Sequence, residues 1–248
     1  MIAVILVAGN SARMGSLTAD VHKSLLPVAN LPIISRILNA LESNEIDRVV
    51  FVGGSMEDQL KEYVAANHGQ LQTKWVTNPG YATTNTAYSV WLTDSTVGRN
   101  EDMILINGDV VMDARAISRT LKGRAADEKV SVLATRFSDV DDEEVKVLVK
   151  DNLVTEIGKH IDPVQADGES VGINLIARSH LNVLYATLRI RIAQGEGRTE
   201  YYEHAFNQMV NDRVPFHTAD VTDLPVMEID TPEDYETVQR ELSTRLSQ

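Results

Sequence analysis

The sequence contains no cysteine. Disulfides and thiolate metal sites are therefore excluded, and a reducing cytoplasm is the expected location. Cations are scarce: 23 Lys and Arg stand against 36 Asp and Glu, for a net charge of −13. That balance speaks against nucleic acid as an electrostatic partner, though a nucleotide needs only a few well-placed cations. No apolar run approaches the ~20 residues of a membrane span, and the start at Met1 has no basic segment, so neither a membrane nor a secretory leader is expected. His22, His160 and His204 are dispersed and give no metal-ligand spacing. There is no repeat, low-complexity tract or long linker.

What is present suits a single α/β domain. At 248 residues, roughly three quarters of the unfolded surface can be buried without staples. Residues 2–7 form a continuous apolar run, as in a strand covered on both faces. Residues 32–41 place Ile33, Ile34, Ile37, Leu38 and Leu41 at helical spacing. Further strands are expected at 48–52, 74–77 and 102–106. Between them lie a helix capped by Ser55 and running to about Ala66, and one capped by Thr84 or Asn85. Four β-α units in about 110 residues call for a Rossmann-like, mainly parallel mixed sheet sandwiched by helices. Ligands in such sheets bind beyond the carboxyl ends of the strands.

The second half differs. Strands are expected at 129–135, 145–149, 153–157, 170–177 and 214–219, with Lys150-Asp151-Asn152 as a hairpin turn. Helices are expected at 179–193 and 200–210, and Thr231-Pro232 opens a last one to Leu246. The chain reads as one domain. Residues 1–125 form a nucleotide-binding half, and residues 126–248 an acceptor-binding half with a small hairpin and helical lid. Asp139 to Glu144 reads as a solvated acidic turn.

The first strand ends in Ala8-Gly9-Asn10-Ser11-Ala12-Arg13. Small residues let backbone amides approach phosphate oxygens, and Arg13 adds a fork of donors. Lys23 follows as a second cation. The loop matches neither the dinucleotide nor the P-loop pattern.

The longer stretch is more specific. Leu6 to Gly15, then Lys23-Ser24-Leu25-Leu26-Pro27-Val28, then Pro32-Ile33-Ile34, resembles the signature of the sugar-phosphate nucleotidyltransferase superfamily. Asn107-Gly108-Asp109 is similar to its strand-end metal motif, and Glu228 to Asp234 to its second acidic motif. Ser11 replaces a frequent glycine, and His22 a frequent proline. Asn78-Pro79-Gly80-Tyr81 through Thr84-Asn85 to Ser89 resembles the branch of cytidylyltransferases acting on phosphocholine and 2-aminoethylphosphonate. So do Glu156 to Lys159 and Gly168 to Ile173.

The resemblance implies transfer of CMP from CTP to a small phosphonate or phosphate monoester, with pyrophosphate leaving. Charge repulsion between two anions is the obstacle, and magnesium (Mg2+) with lysines relieves it. Asp109 and Asp230 are the expected ligands, hard oxygens for a hard cation. Glu228 shares a strand face with Asp230 and is placed to assist. Arg13 is assigned to the outer phosphates, Lys23 to the α-phosphate side and Lys159 to the attacking anion. Ala8, Gly9, Asn10, Ser11, Gly53, Asn85 and Ser89 are the expected nucleotide contacts. Glu169, Tyr202 and Glu203 are the expected acceptor contacts, the carboxylates for an amine. Asp109 and Asp230 also suit a strand end and a helix cap. Other acceptors remain open: a sugar 1-phosphate, an inositol phosphate or a hydroxyalkylphosphonate. So does a non-catalytic nucleotide-binding module. Assembly as a homodimer is allowed.

Overall fold

In a computed structural model, residues 1–124 and 129–246 are described. The expected boundary between halves, at 125/126, lies outside them. The strands are β1 (Ile2–Leu6), β2 (Pro27–Val28), β3 (Leu31–Pro32), β4 (Arg48–Gly53), β5 (Gln72–Thr77), β6 (Met103–Asn107) and β7 (Val110–Met112). They continue with β8 (Ser131–Arg136), β9 (Lys146–Lys150), β10 (Leu153–Gly158), β11 (Gly168–Ile176), β12 (Phe216–Asp220) and β13 (Val226–Glu228). The helices are α1 (Ile33–Glu42), α2 (Glu57–Asn67), α3 (Thr86–Leu92), α4 (Arg115–Lys122), α5 (Leu181–Ala193), α6 (Glu203–Asn211) and α7 (Pro232–Leu246).

Nine strands form one sheet in the order β5-β4-β1-β6-β11-β8-β12-β10-β9. The first four run parallel, as the β-α alternation requires. From β11 onward the pairing is mixed: β11 is antiparallel to β6 and β8, and β8 is parallel to β12. The β9–β10 hairpin, expected as part of a lid, continues the same sheet at its far edge. Asp151 and Asn152 both have positive φ, as a two-residue hairpin turn requires.

The apolar run in β1 is explained by its two neighbours. Ala3 and Ile5 face one core layer with Ile33, Ile37 and Leu41 of α1. Ile2, Val4 and Leu6 face the other, against α3, α5 and α6. Each face is covered, so alternation is lost. Ser55 does not cap α2. That role falls to Met56 in a left-handed conformation, and Asn85 is the residue that caps α3.

Of the short elements that escaped the sequence reading, two bear on the site. β7 and β13 pair as an antiparallel ribbon, with Glu228 opposite Val110. The Ile229 N–H then donates to the Asp109 carbonyl at 3.1 Å. Chain segments 120 positions apart are thereby held side by side at the sheet's carboxyl edge.

Candidate active site

A cleft of about 920 Å³ opens at that edge. The loop after β1 forms one wall. Ser11 sits at φ 52, a conformation that explains why glycine also serves there. Lys23 is fixed by its neighbours. The His22 ring accepts from the Ser24 N–H, and its other nitrogen meets the Val7 carbonyl at 3.0 Å. The Ser24 hydroxyl donates to the Gly108 carbonyl at 2.6 Å. Burial, opposed by the Val7 hydrogen bond, lowers the His22 pKa, which keeps the ring neutral as a positioning group.

Lys23 Nζ lies 2.8 Å from Asp109 Oδ2 and 2.9 Å from Asp230 Oδ1. Those two oxygens therefore stand no farther apart than the two contacts laid end to end, so both carboxylates meet at one point of the cleft. Arg13 reaches the other Asp230 oxygen at 2.8 Å. Burial works against the charge on Lys23, but the two carboxylates outweigh it and raise its pKa. Partial burial likewise opposes the charge on Asp230, and Lys23 and Arg13 outweigh it and hold Asp230 below the usual carboxylate range. Glu228 is pushed the other way. It is enclosed by the cleft, and Asp109 and Asp230 face it with like charge. Lost hydration in the cleft is the larger cause of that upward shift, and the like charge of the two aspartates adds to it. Asn107 steadies it, donating to Glu228 Oε1 at 2.8 Å. Among the described residues no three acidic or histidine side chains already form a metal-ligand set. Two carboxylates beside a loop of small residues nonetheless suit magnesium, which would keep waters and could take its remaining ligands from a phosphate.

Of the expected nucleotide contacts, Ala8, Gly9, Asn10, Ser11, Asn85 and Ser89 line the cleft, and Gly53 does not. Gly53 supports the wall from behind, its carbonyl accepting from Asn78 N–H at 2.8 Å. Asn85 is committed to protein at both ends of its carboxamide, by the Thr86 N–H and the Thr199 carbonyl. One residue that the sequence reading left out of the site is Asn78. It is 1% exposed, donates to Thr84 and Ser89, and accepts from Gly80 N–H, so it shapes the whole Asn78 to Ser89 wall.

Glu169, Tyr202 and Glu203 all line the cleft, but protein groups already engage the first two. Glu169 is not a free carboxylate: Arg136 pairs with it, donating from Nε at 2.7 Å. Tyr202 is fully buried, its hydroxyl donating to Asn107 and accepting from Asn174. Its ring therefore belongs to the core. Tyr201, 36% exposed, is the aromatic surface on offer. Glu203 and Lys159 line the cleft as expected. Burial pushes the Glu203 carboxyl up to about 7. The acidic run is not a remote turn either, since Asp141, Glu143 and Glu144 line the same cleft.

A MobA-like NTP transferase domain matches residues 3–190. The chain belongs to this family. The MobA-like NTP transferase domain here is 26% identical, over 99% of the chain, to CMP-5'-(3-aminopropyl)phosphonate synthase from Streptomyces rubellomurinus. It is 32% identical, over 46% of the chain, to choline-phosphate cytidylyltransferase from Haemophilus influenzae. The matches span 38% and 46% of those relatives' own lengths. Among solved structures, the inositol-1-phosphate CTP transferase from T. maritima superposes with a TM-score of 0.80 at 23% identity, covering 100% of this chain and 96% of that one. The CTP:phosphocholine cytidylyltransferase from Streptococcus pneumoniae does so with a TM-score of 0.78 at 18% identity, covering 97% and 99%. At such identities the two structures speak for the mixed α/β fold alone. Among the described residues no helix is long and apolar enough to cross a membrane.

Proposed function

We propose that this chain transfers CMP from CTP to a small phosphonate or phosphate monoester, of the 2-aminoethylphosphonate or phosphocholine type, and releases pyrophosphate. The observation that carries this reading is the ion-pair network of Arg13, Lys23, Asp109 and Asp230 at one point of the cleft. Two acids suited to magnesium and two cations suited to phosphate meet in the cleft that the loop of residues 8–13 lines. The names of the relatives in Streptomyces and Haemophilus support the base and the acceptor class.

Asp109 and Asp230 would hold magnesium, and Glu228 stands ready to assist. Bound there, the ion would neutralise charge between the phosphates. Lys23 and Arg13 need only exchange a carboxylate for a phosphate oxygen, so no uncompensated charge is created on binding. The acceptor oxygen bonds to the α-phosphorus while the bond to the β-phosphate oxygen breaks. The attacking oxygen is already ionised, so no general base is required, and Lys159 lowers the repulsion between the two anions. The loop of residues 8–13 holds the triphosphate in line.

The test is a pyrophosphate-release screen of CTP, UTP, ATP and GTP against phosphonates, amino-alcohol phosphates, inositol phosphate and sugar 1-phosphates. CTP with a small phosphonate or phosphate monoester should give the highest rate. Comparable rates with UTP or a purine nucleotide would overturn the base assignment. Preference for glucose 1-phosphate would overturn the acceptor class, and no release with any pair would leave a nucleotide-binding module.

A further inference from the structure

Lys146 lies on β9 and is completely buried. A buried ammonium is costly unless its donors are satisfied. Here Nζ donates to the backbone carbonyls of Asp141 at 3.0 Å, Asp142 at 3.3 Å and Glu144 at 3.3 Å. Three donors meet three carbonyls, which is the full capacity of an ammonium. The loop of residues 139–145 is thus hung on a charge beneath it, with its carbonyls turned inward. Two of its carboxylates are used within the loop: Asp141 accepts from the Glu143 N–H, and Glu144 from the Asp141 N–H. Of the other three, Asp139, Asp142 and Glu143, Glu143 faces Lys159. It is 81% exposed and stands 4.0 Å from Lys159 Nζ.

Lys159 Nζ also sits 5.0 Å from the ring centre of Tyr201, a cation over an aromatic face. Two residues beyond Tyr201, Glu203 lines the same cleft. It is 5% exposed, and its Oε2 is buried with no hydrogen-bond partner among the described residues. A buried carboxylate oxygen without a donor is expensive, and natural interiors supply one from water, an ion or a ligand.

We propose that the 139–145 loop, held by Lys146, is the acceptor-selecting lip of the cleft. Glu143, Tyr201 and Glu203 take an organic cation at the far end of the acceptor, replacing Lys159, which stands in for that cation in the free chain. Displaced, Lys159 turns to the acceptor's anionic head. One exchange thus serves both ends of a zwitterion, and an acceptor lacking the cation leaves Lys159 where it is. This inference rests on the cytidylyl-transfer reading above and names what selects the acceptor.

The test compares 2-aminoethylphosphonate with 2-hydroxyethylphosphonate, which carries the same head and no cation, by CTP-dependent pyrophosphate release. Wild type should prefer the aminated compound by at least roughly tenfold in kcat/KM, as a charged hydrogen bond in a desolvated site implies. Glu143→Gln and Tyr201→Ala should raise KM for the aminated acceptor and leave KM for the hydroxylated one and for CTP unmoved. Lys146→Met should erase the preference and speed amide exchange across residues 139–145. Because Glu143 and Tyr201 are surface side chains, their variants test the lip even if Lys146→Met does not fold. Equal use of the two phosphonates by wild type, or an undiminished preference in Glu143→Gln and Tyr201→Ala, overturns the lip and leaves cytidylyl transfer standing. No pyrophosphate with any acceptor overturns both.

Discussion

With Asp109 at 2.8 Å on one side and Asp230 at 2.9 Å on the other, Lys23 balances the charge of the cleft floor. Removing one carboxylate leaves the ammonium still paired. Asp109→Asn should therefore cost about a hundredfold or more in kcat while the melting temperature barely moves. A variant that melts early would instead make Asp109 a structural residue. Glu203 offers a measurement independent of activity. Its folded pKa of about 7 lies above the ordinary range, so the folded state holds its proton longer than the unfolded chain. Stability should then fall as pH rises from the ordinary carboxylate pKa toward 7, and the cost is complete above it. Glu203→Gln should raise stability at pH 8 by up to about 3 kcal/mol and change nothing at pH 4, as read by urea denaturation at the two pH values. Asp230 acts in the opposite sense. Held low by Lys23 and Arg13, it contributes stability above pH about 4 that is lost as pH falls through its folded pKa.

The elements matter here for where they stop. The β7–β13 ribbon has three residues in each strand, too few for independent stability. It exists because Val110, Val111, Met112 and Val226 are buried in the core beneath it. Its task is to set Asp230 beside Asp109. On β11 the register with β8 shifts between Ser170 and Asn174, and Gly172 lies within that irregularity at φ 69. A Cβ there would come within 2.6 Å of Glu228 Oε1 and 2.7 Å of Asn107 Nδ2. Gly172→Ala should accordingly destabilise the fold by roughly 1–3 kcal/mol through backbone strain and a displaced hydrogen-bonded pair. Thermal denaturation would check it. A variant as stable as wild type would mean that the bulge is not constrained. The 3₁₀ turn of Lys23–Leu25 is a second such device. His22, where many members of the superfamily have proline, holds that turn with hydrogen bonds instead of ring stiffness.

For the whole molecule, the expected consequence is a fold that does not depend on a bound metal. Arg13 and Lys23 already offset the charge of Asp109 and Asp230, so chelation should abolish pyrophosphate release and leave the melting temperature within about 2 °C. A large drop in melting temperature would show that a bound ion is part of the fold. The sequence by itself determined the parallel half of the sheet, because apolar runs and helix periodicity are local signals. It also determined the identity of Arg13, Lys23, Asp109 and Asp230, because their motifs are contiguous. The sheet's second half, the pairing of β7 with β13 and the order of strands beyond β6 depend on partners far along the chain. No local pattern carries them. The acceptor side was read least well for the same reason. That Arg136 would claim Glu169, that Tyr202 would turn inward while Tyr201 stayed out, and that a buried Lys146 would swing the acidic run over the cleft are outcomes of packing. Charge in a sequence says which groups want partners, and only the tertiary structure decides which partners they find.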